Sequence, residues 1–261
     1  MNTKTLTIRA LSVVDQYKHF TVGTAVTSVP YFNNKTVRAR GALRVNVGKG
    51  SPKDIFEETS DFMAKNHFPI DQLADESLKK LLVDQNIGID CSGFAYYILN
   101  AESEELGNGS LDKHLSFINC SGFIGKLICS FRPEKNCDVA TLAHDKNSQI
   151  VSCADIKPGD MITMTNESDD NLNGERRHIL IIHQIDYQNF KPFKLYYSHA
   201  VAYPEDGLYG TGIKQGTIEI VDVNKPITEA LWTEDGKTGT NNRIFNRAIK
   251  SNAEVRRLKW L

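Results

Sequence analysis

The sequence predicts an α+β fold, an antiparallel sheet of about five strands packed against one central helix. Three observations carry that expectation. The second half of the chain holds four β-prone runs, Asp160 to Met164, Arg177 to Tyr187, Lys194 to Val201 and Thr217 to Val223, divided by clusters of Asn, Asp, Gly and Pro. Phe94, Tyr97 and Ile98 recur at helical spacing just after the break at Gly88. No period of 20 to 50 residues repeats, which leaves one layered core as the natural assembly of these pieces.

Taken in order, residues 1 to about 50 read as short extended pieces, such as Lys4 to Ile8 and Thr36 to Val47, separated by Pro30 and Asn33-Asn34. Ser51-Pro52-Lys53-Asp54 is a helix start, with Ser51 as N-cap, Pro52 in the first turn and Asp54 at the capping-box position. A helix from Pro52 to about Asn66 follows, and Leu78 to Leu82 suggests another. The next helix puts Cys91 at or near its N-terminus. Residues 101 to 151 mix acidic and Gly-Asn turns with an apolar piece, Phe117 to Phe131, and read as an insertion of helices and loops. The basic stretch with Arg243, Arg247, Lys250, Arg256, Arg257 and Lys259 reads as a solvated helix face. This divides the chain into an N-terminal extension, 1–80, and a main domain, 81–261, with its insertion at about 102–151.

Composition excludes several classes. With 31 Lys and Arg against 32 Asp and Glu, the chain is neither a disordered polyelectrolyte nor a general nucleic-acid binder. No stretch approaches the roughly 18 apolar residues of a membrane span, and the first twenty residues lack the apolar block of a signal peptide, so the expectation is a soluble cytoplasmic protein, with export by another route left open. Five cysteines without a C-x-x-C pair predict reduced thiols rather than a disulfide framework or a zinc site.

Chemistry concentrates on Cys91. A helix N-terminus lowers a thiol's pKa through its unpaired N–H groups, and the same groups can bind the oxyanion formed when sulfur attacks a carbonyl. Such a nucleophile needs a base and a group that orients the base. His178 enters the apolar run Ile179-Leu180-Ile181-Ile182 from a polar loop, which places it at a strand end beside an opening. His199 alternates with Tyr197 on the next strand and lies beside His178 if the two strands pair. Glu205 or Asp206 are alternative orienting groups. His183, five residues after His178, points to the other sheet face, and a metal site of His178, His183 and His199 matches no zinc spacing. Cys120-Ser121-Gly122-Phe123 repeats the tetrapeptide at Cys91 but lacks the preceding Asp. Gly48-Lys49-Gly50-Ser51 reads as a solvated loop rather than a phosphate cradle.

Asp90-Cys91-Ser92-Gly93-Phe94, then Ile156-Lys157-Pro158-Gly159-Asp160-Met161, then His178 at the head of an apolar strand, then Ser198-His199-Ala200, resembles in order and spacing the NlpC-type cell-wall cysteine peptidases, over about residues 84 to 223. The resemblance implies a papain-like fold and a Cys91, His178, His199 triad that cleaves a peptide bond in peptidoglycan stem peptides through an acyl-enzyme, with no cofactor. It also implies that Asp90 and Ser92 lie beside the substrate cleft. The aromatic-Gly-Gly signature often found upstream of the nucleophile is absent from Leu81 to Gly88. Two other readings remain open: a cytoplasmic amidase, acyltransferase or toxin-like peptidase on the same fold, and an inactive module that binds wall fragments.

Overall fold

The structure, a computed structural model, describes residues 2–33, 44–69, 73–118, 120, 129, 132–165, 177–251 and 253–261. Within them the chain is mixed helix and antiparallel sheet. The strands are β1 (Asn2–Thr5), β2 (Phe20–Val22), β3 (Ala25–Thr27), β4 (Ser148–Ile150), β5 (Met161–Met164), β6 (His178–Gln188), β7 (Lys191–Val201), β8 (Gly212–Glu219), β9 (Leu231–Glu234), β10 (Lys237–Thr238) and β11 (Glu254–Leu258). The helices are α1 (Ile8–Lys18), α2 (Pro52–Lys65), α3 (Asp75–Asp84), α4 (Cys91–Glu105), α5 (Pro133–Asn136), α6 (Val139–Ala143) and α7 (Arg243–Lys250).

One nine-stranded sheet runs β10-β9-β8-β7-β6-β5-β11-β4, with β1 added alongside β6. It is larger than the sheet of about five strands expected from the sequence. The β-prone runs became β5 to β8, β5 with only four residues but marked by the turn Pro158-Gly159-Asp160 before it, whereas β1, β4, β9, β10 and β11 have five residues or fewer and carry too few alternations to stand out. The run Ile179-Leu180-Ile181-Ile182 is continuously apolar because both faces of β6 are covered. Ile179 and Ile181 pack into the cluster that holds Ala10, Val14, Phe94 and Ile98, and Leu180 and Ile182 into the one that holds Trp232, Ile244 and Ala248.

The N-terminal stretch is not a set of extended pieces. Ala10, Val14 and Tyr17 recur at helical spacing and are buried on α1, while Thr7 caps it and gives both its backbone N–H and its hydroxyl to Glu102 at the far end of α4. The β-branched residues of Ile8 to Val14 favour strands locally, and packing against α4 overrides that preference. Residues from Leu6 to Val29 and from Val45 to Met63 therefore share one core with α4 and β6. Helix α2 has the expected cap, with Ser51 and Asp54 satisfying each other's backbone N–H groups. Of Thr36 to Val47, residues 36–43 lie outside the described residues, and Arg44–Val47 form one turn of 3-10 helix. Most of Phe117 to Phe131 likewise lies outside them.

Two further expectations are corrected. The basic C-terminal stretch is not one solvated helix face: α7 is followed by β11, which lies inside the sheet between β5 and β4. There Arg257 forks onto Asp160 at 2.7 and 2.8 Å, and Arg256 is buried against Ser148, Glu254 and Asp145. The cysteines are not all reduced, since Cys120 and Cys129 form a disulfide with Cα atoms 6.5 Å apart, within bonding range. Sequence spacing alone does not report that proximity. Among the described residues no helix is long and apolar enough to cross a membrane.

Candidate active site

Helix α4 begins at Cys91. Asp90 is its N-cap, and the carboxylate takes the Gly93 N–H at 2.6 Å and the Ser92 hydroxyl at 3.0 Å. The same oxygen receives the ammonium of Lys49 at 2.9 Å, and that ammonium also donates to Ser92 Oγ at 2.6 Å and to the Cys137 carbonyl at 3.1 Å. Lys49 is only 6% exposed. It reaches this position because Tyr31 and Lys49 are both bridged to Ile89, two residues before the start of α4. Gly48 makes the approach possible: its φ is +74°, and a Cβ there would meet the Phe32 carbonyl at 2.2 Å. The expected solvated loop is therefore a buried cationic strut, held where Lys49 neutralises the helix cap.

Strands β6 and β7 pair antiparallel, and the two histidines meet, His178 Nε2 to His199 Nδ1 at 2.7 Å. His199, fully buried, continues through Nε2 to Glu234 Oε2 at 2.7 Å. Glu234 also receives the hydroxyls of Tyr197 at 3.1 Å and Tyr203 at 2.8 Å. Glu234 lies on β9, two strands from β7, and Gly216 of β8 stands in register between Tyr197 and Glu234. A Cβ at Gly216 would come within 2.2 Å of the Tyr197 hydroxyl, so the missing side chain is what lets the phenol reach across β8.

A cleft of about 710 Å³ joins the helix start to the strand ends. Cys91, His178, Tyr31, Lys135, Arg177 and Arg247 line it, together with Asp90, Ser92 and Asp138. Burial pushes the Cys91 thiol up to about 11, reinforced by Asp90 and only partly offset by Arg247, Lys49 and the Ile179 backbone N–H. The thiol is thus not lowered, as its place at a helix start led us to expect; desolvation outweighs the helix N-terminus. His178 is held well below 6.5 by burial, then by Arg247 and His199. The resting pair is a neutral thiol and a neutral imidazole.

The remaining sequence candidates separate from this centre. Asp90 and Ser92 reach the cleft, but their hydrogen bonds serve Lys49 and the helix cap. Glu205 and Asp206 do not orient a histidine, because both pair with Arg243 and Asp206 also with Lys214. The group bonded to His178 is His199, and the carboxylate bonded to His199 is Glu234. His183 faces Ser198 at 3.0 Å, away from the His178–His199 pair, and Cys120 is held in its disulfide. Among the described residues no group of three or more His, Cys, Asp or Glu side chains is arranged for a metal ion. Lys49, Glu234 and Arg247 are the residues that sequence reasoning missed at this site. The available signals were the interior glycine of β8 and the alternation of Trp232 with Glu234.

The histidines give a stability prediction. His178 and His183, the latter lowered to about 4 by burial and Lys18, stay neutral in the folded chain while the unfolded chain takes up protons near 6.5. Their folded pKa values are depressed, so stability is fully present above about 6.5 and falls as pH drops below it, by up to about 1.4 kcal/mol per pH unit for each group. Urea midpoints at pH 7, 6 and 5 should fall in that order, and less steeply in His183→Asn. Midpoints that stay level from pH 7 to 5 would refute it.

No protein-family model matches the chain, and neither does any curated protein or any solved structure.

Proposed function

We propose that this chain is a papain-like cysteine hydrolase that cleaves an amide bond, with Cys91 as nucleophile, His178 as base and His199 orienting the base. The observation that carries the reading is that His178, hydrogen-bonded to the buried His199, lines one cleft with Cys91, the first residue of α4. His178 removes the Cys91 proton as sulfur attacks the carbonyl, and the first N–H groups of α4 receive the oxyanion. Protonated His178 then gives that proton to the leaving amine. A water deprotonated by His178 attacks the thioester, releasing the acid and the free thiol.

The order of motifs around Cys91, His178 and His199 favours peptidoglycan stem peptides as substrate. Charge agrees with it: four cations line the described cleft, Lys49, Lys135, Arg177 and Arg247, against two carboxylates, Asp90 and Asp138, an excess that suits a peptide bearing free carboxylates. The test is mass spectrometry of stem peptides and of unrelated acidic peptides incubated with wild type and Cys91→Ser. A new amine and acid released by wild type alone is the expected result. Saturable binding of wall fragments with no cleavage dependent on Cys91 would overturn the hydrolase reading in favour of a binding module.

A further inference from the structure

We infer that Glu234 is a positioning residue that, with Tyr197 and Tyr203, fixes the tautomers of two imidazoles in series and so leaves the basic lone pair of His178 on Nδ1. The inference rests on the hydrolase reading only for the use to which that lone pair is put.

The argument follows the protons outward from the carboxylate. Burial alone would raise the Glu234 pKa, but the His199 contact and the Tyr203 and Tyr197 hydroxyls more than offset it and hold the group below its ordinary value. An ionised carboxylate only accepts hydrogen bonds. Both phenols are pushed well above their ordinary range by burial and by Glu234, so they remain O–H donors. The Nε2 of His199, 2.7 Å from Oε2, must therefore carry a proton. In the neutral ring Nδ1 of His199 is then an acceptor. That nitrogen lies 2.7 Å from Nε2 of His178, which must in turn be the protonated one. His178 is left with a bare Nδ1, and only a bare nitrogen can take a proton from a thiol. With the opposite tautomer, Nδ1 would carry a proton and the ring could not serve as the base at that atom.

Glu234 itself is absent from the cleft lining. It acts through His199, two hydrogen bonds away from His178. The carboxylate also supplies a buried negative charge that favours the imidazolium formed once His178 has taken the proton.

The experiment is long-range proton–nitrogen correlation NMR on the full chain labelled with ¹⁵N-histidine, at pH 8, alongside the rate of Cys91 alkylation. In the wild type, His178 and His199 should each show an unprotonated Nδ1 and a protonated Nε2. In Glu234→Ala the His199 pattern should collapse to a mixture, His178 Nδ1 should gain proton character, and Cys91 alkylation should slow by roughly 10²-fold. Glu234→Gln can still present an oxygen to His199 and should keep the wild-type nitrogen pattern. Should Glu234→Ala fail to fold, Glu234→Asp, which draws the carboxylate back by one methylene, is read in its place by the same criteria. A protonated Nδ1 on wild-type His178, or wild-type tautomers in the Ala or Asp variant, would overturn the inference. The nitrogen spectra test the clamp while cleavage dependent on Cys91 tests the hydrolase, so either can fail alone.

Discussion

His178→Ala should slow the alkylation of Cys91 by iodoacetamide at pH 8 by roughly 10²-fold and hydrolysis of a true substrate by about 10² to 10⁴, the range a positioned general base supplies. The reason lies in the resting protonation state. A thiol at about 11 is only about one part in 10³ ionised at pH 8, so its reactivity depends on a neighbour that accepts the proton during attack. His178, kept neutral by burial, Arg247 and His199, is available for that over the whole neutral range. The wild-type rate should therefore stay nearly level wherever thiol and imidazole are both neutral, while the His178→Ala rate, left to the free thiolate, should climb about tenfold per pH unit. A preformed thiolate–imidazolium pair would show itself in thiolate ultraviolet absorbance that persists below pH 6 and is lost in Cys91→Ser. Peptide mapping of the three free cysteines assigns the rate to Cys91, because Cys137 and Cys153 are buried thiols that do not line the cleft with His178. Thiolate absorbance of that kind would show that an ion pair forms in spite of burial; indifference of the rate to His178→Ala would remove the base from the mechanism.

The parts of this site that the sequence exposed are those whose signal is local. The run from His178 to Gln188 was legible because eleven residues of β pattern exceed any turn, and α2 because its cap is written in four consecutive residues, Ser51 to Asp54. Once the two long strands are adjacent, His178 and His199 follow from alternation alone. Lys49 and Glu234 carry no such mark. Lys49 sits between two glycines in a polar stretch that looks solvated, and only its bridge to Ile89, just before α4, buries it. Glu234 ends a four-residue strand 56 positions after His178, and its partners come from β7 and the turn that follows it. Helix α1 was missed for a related reason: its buried face is narrow, Ala10, Val14 and Tyr17, and its β-branched residues argue for a strand until α4 is there to pack against. Arg247 was assigned to solvent with the rest of the basic stretch, although α7 brings it to the cleft. In each case the deciding contact is distant in sequence, which single-chain periodicity does not encode.

Lys49→Met should be the most destabilising single change near the site, costing about 3 to 5 kcal/mol, because it strips the counter-ion from a buried carboxylate while leaving the carboxylate in place. Methionine keeps the length and the apolar stem of lysine, so the packing under α4 survives and the loss isolates the charge. Asp90 would then hold a negative charge in a largely buried site with only the Ser92 hydroxyl and the Gly93 N–H to compensate it, and the Cys137 carbonyl would lose a donor. Removing both charges should undo much of the damage: in Lys49→Met/Asp90→Asn the amide still accepts the Gly93 N–H and leaves no uncompensated ion, so the double variant should be more stable than Lys49→Met alone. Lys49 also draws the Cys91 thiol downward, and its removal should push that thiol higher still, slowing alkylation in whatever fraction folds. Urea melts at pH 7 on wild type, both single variants and the double variant give the coupling directly. A loss under about 1 kcal/mol for Lys49→Met would mean that the ammonium is solvated rather than locked beneath the helix, since exposed ion pairs contribute no more than that.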